Sequence, residues 1–513
     1  MGVCLVALVG LFRTFLAGGY MIETGSMAPC LLGYHRQVVC PDCRYAFAIE
    51  GSSATTKAVC PNCGRGEIAV DKLSRNDGDH LLVHRCLFEF RQPRRWEVVV
   101  FRNPNRPTQA YVKRLVALPG ETVQIIDGDI YVDGEIKAKN YATQRGLRIP
   151  VNDDDCRPHS DDPEWRPRWL AEKPDNGWTE SGGTFRFAPR NAESTSQCEW
   201  VSYRHWIRRG GSHVTQAALS RWPGELERPA AGIGPVAFDE DRRTLECRGA
   251  LTLKMRNQYL RETGDAEFRE AIERLYEASH IAPITDQYGY NRRQDGQGRH
   301  EVRDLMLSAI LHLHDGPGEF RLAISDGSEA YECLFDLAVK KIRLIDSRTG
   351  RAMRTAALND DLLDKAVCVE VSMMDRQVLL AVDGRLAFKP LSYTLTGERG
   401  PPPRQPVRFG AKGTAVEVSS LKLFRDVYYT DDPGRRGVDG PVELKSNQYF
   451  VLGDNSPVSK DSRSWADRVV LTGDMFLGKP MVVHLPSRKQ RLKLWGWQTE
   501  IRIPEFSRIR YIY

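Results

Sequence analysis

The chain opens with a long apolar run. Residues 3–12 are almost wholly apolar, Arg13 interrupts them, and residues 15–22 resume the run. A membrane-spanning helix needs about 20 predominantly apolar residues, and a single arginine can extend its charge towards the interface. Residues 1–22 are therefore predicted to form a single membrane anchor. There are two alternatives, a cleaved signal peptide and a buried core helix. A signal peptide normally has a positive region before its apolar run, and none is present here.

After this run the pattern changes to short β-branched stretches. Residues 96–101 and 111–125 are rich in valine, and Asp-Gly pairs follow at 127–128 and 133–134. β-Branched residues favour strands and Asp-Gly favours tight turns, so twisted hairpins are predicted here. Lys113 lies inside one of these apolar stretches. A buried lysine loses proton affinity and can then act as a base.

Alternation of apolar and polar positions dominates residues 301–430. It is clearest at 305–313 and 367–373, and two further apolar stretches meet across Asp383-Gly384. Period-two strands separated by turns predict an antiparallel β-sandwich. Residues 266–280 instead carry apolar side chains at helical spacing and predict a helix.

Residues 141–300 show little periodicity outside that helix, and they are predicted to form an irregular Trp/Arg-rich and helical insertion. Tryptophans mingle with arginines in its first part: Trp165, Trp169, Trp178, Trp200 and Trp206 with Arg166, Arg168, Arg204, Arg208 and Arg209. Such mixtures can stack on single-stranded nucleic acid. Because no concentrated basic excess accompanies them, irregular packing is the favoured interpretation.

Composition narrows the class of protein. A length of 513 residues fits three or four domains at about 150 residues each. The 73 Lys+Arg and 67 Asp+Glu residues leave a net charge of only +6, which argues against a surface built for phosphate backbones. No nucleic-acid partner is therefore expected.

Four of the 12 cysteines form two Cys-x-x-Cys pairs. Cys40 and Cys43 form the first pair, Cys60 and Cys63 form the second, and sixteen residues separate Cys43 from Cys60. Two such turns can bring four thiolates into a tetrahedron around Zn²⁺, so residues 36–70 are predicted to form a zinc ribbon with a structural metal. Two disulfides are the alternative. Four sulfur ligands leave no open position, so this zinc would not be catalytic.

Three motifs occur in order behind the apolar run. The first is Gly25-Ser26-Met27, the second is Tyr111-Val112-Lys113-Arg114, and the third runs from Gly453-Asp454-Asn455 to Trp465. Together they resemble the type I signal peptidases, membrane-bound Ser/Lys endopeptidases. The resemblance covers about residues 1–33, 76–140 and 441–485. The matched residues make up less than half of the chain, and the three motifs are specific in combination.

The resemblance implies a role for each matching residue. Ser26 matches the nucleophile, Lys113 the general base, and Thr24, in place of the family's usual serine, an oxyanion donor. Ser459 matches the hydroxyl that orients the lysine amine. The family's supporting ion pairs are matched by Asp454 with Arg114 and by Asp461 with Arg463. No catalytic cofactor is implied.

The sequence leaves three alternatives to this resemblance. A Ser/His/Asp hydrolase could draw on His35, His80 or His84, but the chain has no Gly-x-Ser-x-Gly elbow. Self-cleaving repressors also use Ser/Lys chemistry, but no helix-turn-helix pattern precedes Ser26. A third hypothesis is a catalytically silent, membrane-tethered binding protein that uses the sandwich and the zinc ribbon.

The predicted organisation is a mainly β chain with a discontinuous signal-peptidase fold. The parts are an anchor at 1–22, a first peptidase part at 23–140 interrupted by the ribbon at 36–70, insertions at 141–300 and 301–430, and a second peptidase part at 441–513.

The sandwich resembles a concanavalin-like (laminin G type) jelly roll, which implies a carbohydrate or protein ligand. The expected partners are secretory preproteins and membrane lipid. The basic, aromatic residues 488–513 would contact lipid headgroups or form a solvated terminal strand. The expected location is the cytoplasmic (inner) membrane, with one span and an extracytoplasmic catalytic domain.

Overall fold

The structure is a computed structural model that describes most of the chain. The described residues are 17–52, 54–159, 162–189, 197–211, 213–227, 235–291, 300–395, 399–466, 469–484, 487–494 and 497–512. They are mainly β, which confirms the predicted class. Among them no helix is long and apolar enough to cross a bilayer. Residues 1–16 of the predicted anchor lie outside the described part, and its last stretch, Ala17–Met21, forms a strand instead.

One eight-stranded sheet joins the two ends of the chain. Its antiparallel path runs Ala17–Met21, His80–His84, Phe476–Val483, Val98–Asn103, Arg106–Ala117, Gln448–Leu452 and Leu471–Thr472, with Arg510–Tyr511 paired to Phe476–Val483. The β-branched stretch Val98–Phe101 is buried at its centre. The sheet therefore places segments that are more than 300 residues apart in sequence side by side, because Leu452 pairs with Arg114.

A four-stranded sheet packs beside it and contains the Asp-Gly turns. Its order is Glu135–Ile136, Asp129–Val132, Thr122–Ile126 and Val442–Glu443. Asp127 and Asp133 adopt positive φ before their glycines, as tight hairpin turns require. Alternate residues such as Val123, Ile125 and Ile130 are buried against Phe450, so the hairpins close one side of the first sheet.

Two further antiparallel sheets form a sandwich around the largest core. The nine-stranded sheet contains Trp178–Ser181, Thr184–Phe187, Val416–Arg425, Leu305–Leu313, Ala366–Met374, Gln377–Val382 and Arg385–Leu386, with Ile149–Asp153 and Leu391–Ser392 at its margins. The seven-stranded sheet contains Trp169–Ala171, Glu199–Tyr203, Val407–Lys412, Glu319–Ser325, Ala330–Asp336, Lys341–Asp346 and Ala352–Ala357. Alternate apolar residues of both sheets share one cluster, which is the packing that period-two strands favour.

The sandwich begins earlier than residue 301. Strands between residues 149 and 203 pair directly with strands beyond residue 305, although their sequence pattern suggested an irregular insertion. Their burial explains the tryptophans, because Trp169 and Trp178 lie in the sandwich core with ring centroids 5.5 and 5.2 Å from that of Phe409. Short strands of three to five residues carry too little alternation to be recognised from sequence.

A small α+β unit fills residues 214–280. Three strands, Val214–Ala218, Thr244–Arg248 and Val236–Asp239, pack against the helices Leu253–Glu262 and Ala266–His280. The second helix has the predicted bounds, and Asp265 caps it by accepting a hydrogen bond from the Phe268 N–H. Phe268, Ile272 and Leu275 are buried, so the predicted apolar face is the packed one.

The remaining elements are short. They are the hairpins His35–Val39 with Ala46–Glu50, Lys57–Ala58 with Ile68–Ala69, and Ser487–Leu494 with Trp497–Pro504, the helices Leu87–Phe90 and Tyr141–Leu147, and the 3₁₀ turns Gly25–Met27, Asp360–Leu362, Ser456–Val458, Gly473–Met475 and Phe506–Arg508. The first two hairpins carry the Cys-x-x-Cys turns. The Gly25–Met27 turn carries Ser26 to the rim of the eight-stranded sheet.

Candidate active site

Ser26 lies on a tight turn that the third motif holds in place. The turn Gly25–Met27 closes with a hydrogen bond from the Ala28 N–H to the Gly25 carbonyl. The backbone N–H of Asn455 donates to the Ser26 carbonyl at 3.0 Å, and the Asn455 side-chain amide donates to the Gly25 carbonyl at 2.9 Å. A methyl group at Gly453 would lie 2.5 Å from the backbone carbonyl oxygen of Ser26, so only glycine allows the two backbones to approach this closely.

Lys113 lies across from Ser26 on the strand Arg106–Ala117. Its Nζ is 2.6 Å from Ser26 Oγ, and the residue is only 4% exposed. Burial lowers the pKa of Lys113 to about 8, against the opposing charges of Asp461 and Asp454. The amine therefore gives up its proton more readily than that of an ordinary lysine, and it lies in hydrogen-bond contact with a serine hydroxyl.

Thr24 stands two residues before Ser26, and its hydroxyl is 3.4 Å from Ser26 Oγ. Ser26 is half-buried and Thr24 is exposed. The two hydroxyls are therefore neighbours, and solvent reaches both residues.

Two buried ion pairs flank the lysine. Arg114 donates through Nε and Nη2 to the two oxygens of Asp454 at 2.7 and 2.6 Å. Arg463 donates likewise to Asp461 at 3.0 and 2.8 Å. Burial alone would raise the pKa of Asp461, but the charge and hydrogen bonds of Arg463 outweigh it and hold the pKa below its usual range. Both predicted pairs are thus brought together, each in a two-point geometry.

Ser459 is placed differently from the other predicted residues. It is buried beside Asp461, whose pKa its hydroxyl helps to lower. Within the described residues, however, Ser459 Oγ has no hydrogen-bond partner of full geometry. A hydrogen bond from Ser459 to Lys113 is therefore not among the contacts of this site.

Two contacts near Ser26 and Lys113 were not foreseen from sequence. Asn455 supports the Ser26 turn through the two bonds described above, although the Gly-Asp-Asn motif gave a signal for it. Cys30 accepts a long hydrogen bond from Arg114 at 3.6 Å, and burial raises the pKa of its thiol to about 11. This cysteine is therefore a neutral packing neighbour of the ion pair at physiological pH.

The four paired cysteines form a second, separate cluster. Cys40, Cys43, Cys60 and Cys63 are all buried, and their sulfurs lie within 4.8 Å of one another. The Cys40–Cys63 and Cys43–Cys60 sulfur distances are 3.6 and 3.7 Å. Disulfides need about 2.05 Å, whereas ligands at about 2.3 Å from a tetrahedral zinc lie about 3.8 Å apart. The cluster could therefore hold one metal ion.

Comparison with known proteins supports the resemblance given by the motifs. Residues 1–164 match the family model described as signal peptidase, peptidase S26. The chain is 35% identical over 71 residues to signal peptidase I of Leptolyngbya laminosa and 44% identical over 57 residues to that of Rickettsia typhi. These alignments cover 12% and 11% of this chain and 34% and 22% of the relatives. The chain thus spans 34% and 22% of the length of these relatives, and over that stretch it is similar to type I signal peptidases.

Solved structures align with about a quarter of the chain. A galectin of Caenorhabditis elegans aligns at 12% identity, covering 23% of this chain and 81% of that one, with a TM-score of 0.19. A carbohydrate-binding module of Bacillus subtilis aligns at 13% identity, covering 28% and 91%, with a TM-score of 0.16. Scores this low carry no conclusion, so the jelly-roll topology and the carbohydrate or protein ligand stay predictions.

Proposed function

We propose that this chain is a serine endopeptidase that removes signal peptides from exported preproteins by Ser/Lys catalysis. The observation that carries the proposal is the 2.6 Å contact between Lys113 Nζ and Ser26 Oγ. The match of residues 1–164 to the signal peptidase family supports the substrate class. A serine in direct contact with a buried lysine can act as a nucleophile with that lysine as its base, and the pair needs no histidine.

In the proposed reaction, neutral Lys113 takes the proton of the Ser26 hydroxyl while Oγ attacks the scissile carbonyl carbon. The oxyanion that forms is held by the Ser26 backbone N–H and the Thr24 hydroxyl. Lys113 then gives its proton to the leaving amine, which departs and leaves an ester on Ser26. A water molecule, deprotonated in turn by Lys113, hydrolyses that ester and restores the hydroxyl.

The ion pairs contribute by keeping negative charge from contacting the lysine. Asp454 and Asp461 would stabilise the protonated amine if their oxygens were free to approach it. Because Arg114 and Arg463 each occupy two oxygens of these carboxylates, the amine is left with Ser26 as its near partner. We therefore assign the four residues to the support of the site.

The experiment is a cleavage assay of the purified full chain with a preprotein that carries a signal peptide. Wild-type protein should release the mature protein after a small residue, and Ser26→Ala should abolish release without loss of the fold, checked by circular dichroism. An exposed serine such as Ser347, changed to alanine, is the matched control. Cleavage that persists in Ser26→Ala, or an inactive wild type, would contradict the proposal, and the second result would favour the silent binding protein.

We further propose that the four-cysteine cluster holds one structural zinc. The sulfur separations fit tetrahedral zinc and are too long for disulfides, as given above. Metal analysis should find about one zinc per chain, lost in Cys60→Ser and kept in Cys247→Ser, which removes a buried thiol outside the cluster. Two disulfides without zinc would refute the assignment.

Membrane attachment through the N-terminal apolar run is the third part of the proposal, with the catalytic domain on the extracytoplasmic side. Deletion of residues 1–16 leaves the strand Ala17–Met21 intact, so it tests attachment without removing part of the sheet. The full chain should fractionate with membranes and the shortened chain should not. Equal membrane retention of both would show that the apolar run is not the anchor.

A further inference from the structure

Residues 284–291, called here the strap, run from the sandwich to the turn that carries Ser26. We propose that Tyr290 and Asn291 of the strap are positioning residues, through which the long insertion holds the Ser26 turn in its reactive geometry. The inference rests on the proposed function for its kinetic test alone. It assigns to the insertion a part in the site that the family motifs do not contain.

The first contact is a reciprocal amide pair. Asn291 Nδ2 donates to Asn455 Oδ1 at 2.6 Å, and Asn455 Nδ2 donates to Asn291 Oδ1 at 2.6 Å. The second N–H of the same Asn455 amide donates to the Gly25 carbonyl. If the Asn455 amide rotated by 180°, its oxygen would face the Gly25 oxygen and Asn291 Oδ1, so the bond to Gly25 and both bonds with Asn291 would be lost. Asn291 therefore fixes the orientation in which Asn455 supports the turn.

The second contact is steric. A methyl group on Gly25 would lie 2.2 Å from a ring carbon of Tyr290, so the aromatic ring packs directly on the backbone next to Ser26. The Tyr290 hydroxyl donates to the Tyr34 carbonyl at 3.2 Å, and the Tyr34 N–H donates to the Glu23 carbonyl at 3.1 Å. The ring that packs on Gly25 is thus linked through Tyr34 to Glu23, two residues before the turn.

The strap is itself fixed at both ends. The buried Arg425 of the sandwich donates through Nη2 to the Asp286 carbonyl at 2.8 Å. The N–H of Glu50, the last residue of the strand Ala46–Glu50, donates to the Tyr290 carbonyl at 2.9 Å. A methyl group on Gly289 would lie 3.0 Å from Pro61, inside the second Cys-x-x-Cys turn. The sandwich and the cysteine cluster therefore both set where Tyr290 and Asn291 stand.

Positioning predicts a different kinetic result from simple packing. Small displacement of a nucleophile lowers the rate of the chemical step by up to about 10²-fold while substrate binding is kept. A residue that only fills space would change the free energy of unfolding and leave kcat of the folded enzyme unchanged. A residue that contacts substrate would change KM instead.

The test compares Asn291→Ala and Asn291→Ser with Gln287→Ala, which removes an exposed amide from the same strap. We expect kcat to fall about tenfold or more in Asn291→Ala with KM within twofold, to fall less in Asn291→Ser, and to stay within twofold in Gln287→Ala. Tyr290→Phe should stay within about threefold and Tyr290→Ala should fall about tenfold, because the ring supplies the contact. Unchanged kcat in Asn291→Ala, or a change confined to KM, would overturn the inference.

A second measurement does not depend on cleavage. Hydrogen exchange of the Ala28 and Asn455 amides, which donate to the Gly25 and Ser26 carbonyls, should be faster in Asn291→Ala and unchanged in Gln287→Ala. Faster exchange in a chain whose wild type cleaves no preprotein would uphold the positioning and refute the peptidase. Exchange unchanged by Asn291→Ala would refute the positioning whatever the wild type does.

Discussion

Lys113 and Lys139 are equally buried lysines with opposite properties. They are 4% and 2% exposed, and burial by itself lowers the pKa of both. Lys113 contacts the neutral hydroxyl of Ser26 and keeps a pKa of about 8. Lys139 donates to Asp375 at 2.5 Å and to Asp426 at 2.7 Å, and these carboxylates raise its pKa well above the usual range. Direct contact with carboxylates, and not burial, therefore accounts for the opposite pKa shifts of the two lysines.

The two environments also differ in where their carboxylates are directed. Near Lys113 each carboxylate is occupied by an arginine, whereas near Lys139 the carboxylates have the lysine itself as their partner. Lys139 follows the four-stranded sheet, and Asp375 and Asp426 belong to the region of the sandwich. Its ammonium therefore links the insertion to the rest of the molecule, while Lys113 is left available for a proton.

The largest expected effect is on cleavage. Lys113→Ala should lower kcat/KM by about 10³-fold or more, because Ser26 loses its general base. Lys445→Ala removes an exposed lysine near the same sheet and should leave kcat/KM within twofold. The measurement is the initial rate of preprotein cleavage by folded protein. Near-normal turnover in Lys113→Ala would remove the distinction between the two lysines.

The next effect is on stability and falls on the other lysine. Lys139→Met should lower the free energy of unfolding by about 3–5 kcal/mol, because two carboxylates are left buried without their cation. Lys113→Met should change it by no more than about 1 kcal/mol, because no carboxylate depends on that amine for a hydrogen bond. Urea unfolding of both variants at one pH measures the difference. Equal losses would contradict the comparison.

The smallest effect is the slope of activity with pH. Since the neutral amine is the base, kcat/KM should rise about tenfold per pH unit below the pKa of Lys113 and level off above about 8. The free energy of unfolding also depends on Lys113. Its pKa in the folded protein lies below the value of about 10.4 in the unfolded chain, so the unfolded chain binds more protons between these two pH values. The folded state therefore becomes more stable as the pH rises through this range. A profile that is flat from pH 6 to 9 would exclude Lys113 as the base.

The residues that lie together around Ser26 were easier to predict from sequence than the architecture. Ser26, Lys113 and the two ion pairs lie in short motifs, so residue type and order sufficed to select them. Asn455 lay within a motif without a role, and Asn291 had no signal because its partner is 164 residues away. The strands between residues 149 and 203 were missed because each is short and becomes recognisable only through its pairing with strands beyond residue 305. Long-range pairing of this kind is not encoded in local periodicity.

The difference between the two lysines can be measured by an NMR titration of both side chains in the whole chain, with ¹³C-labelled lysine and assignment by Lys113→Met and Lys139→Met. We expect Lys113 to titrate near pH 8 and Lys139 to stay protonated above the unperturbed lysine pKa of about 10.4. A Lys113 signal that titrates at or above the unperturbed value would contradict the assignment of this amine as the base for Ser26.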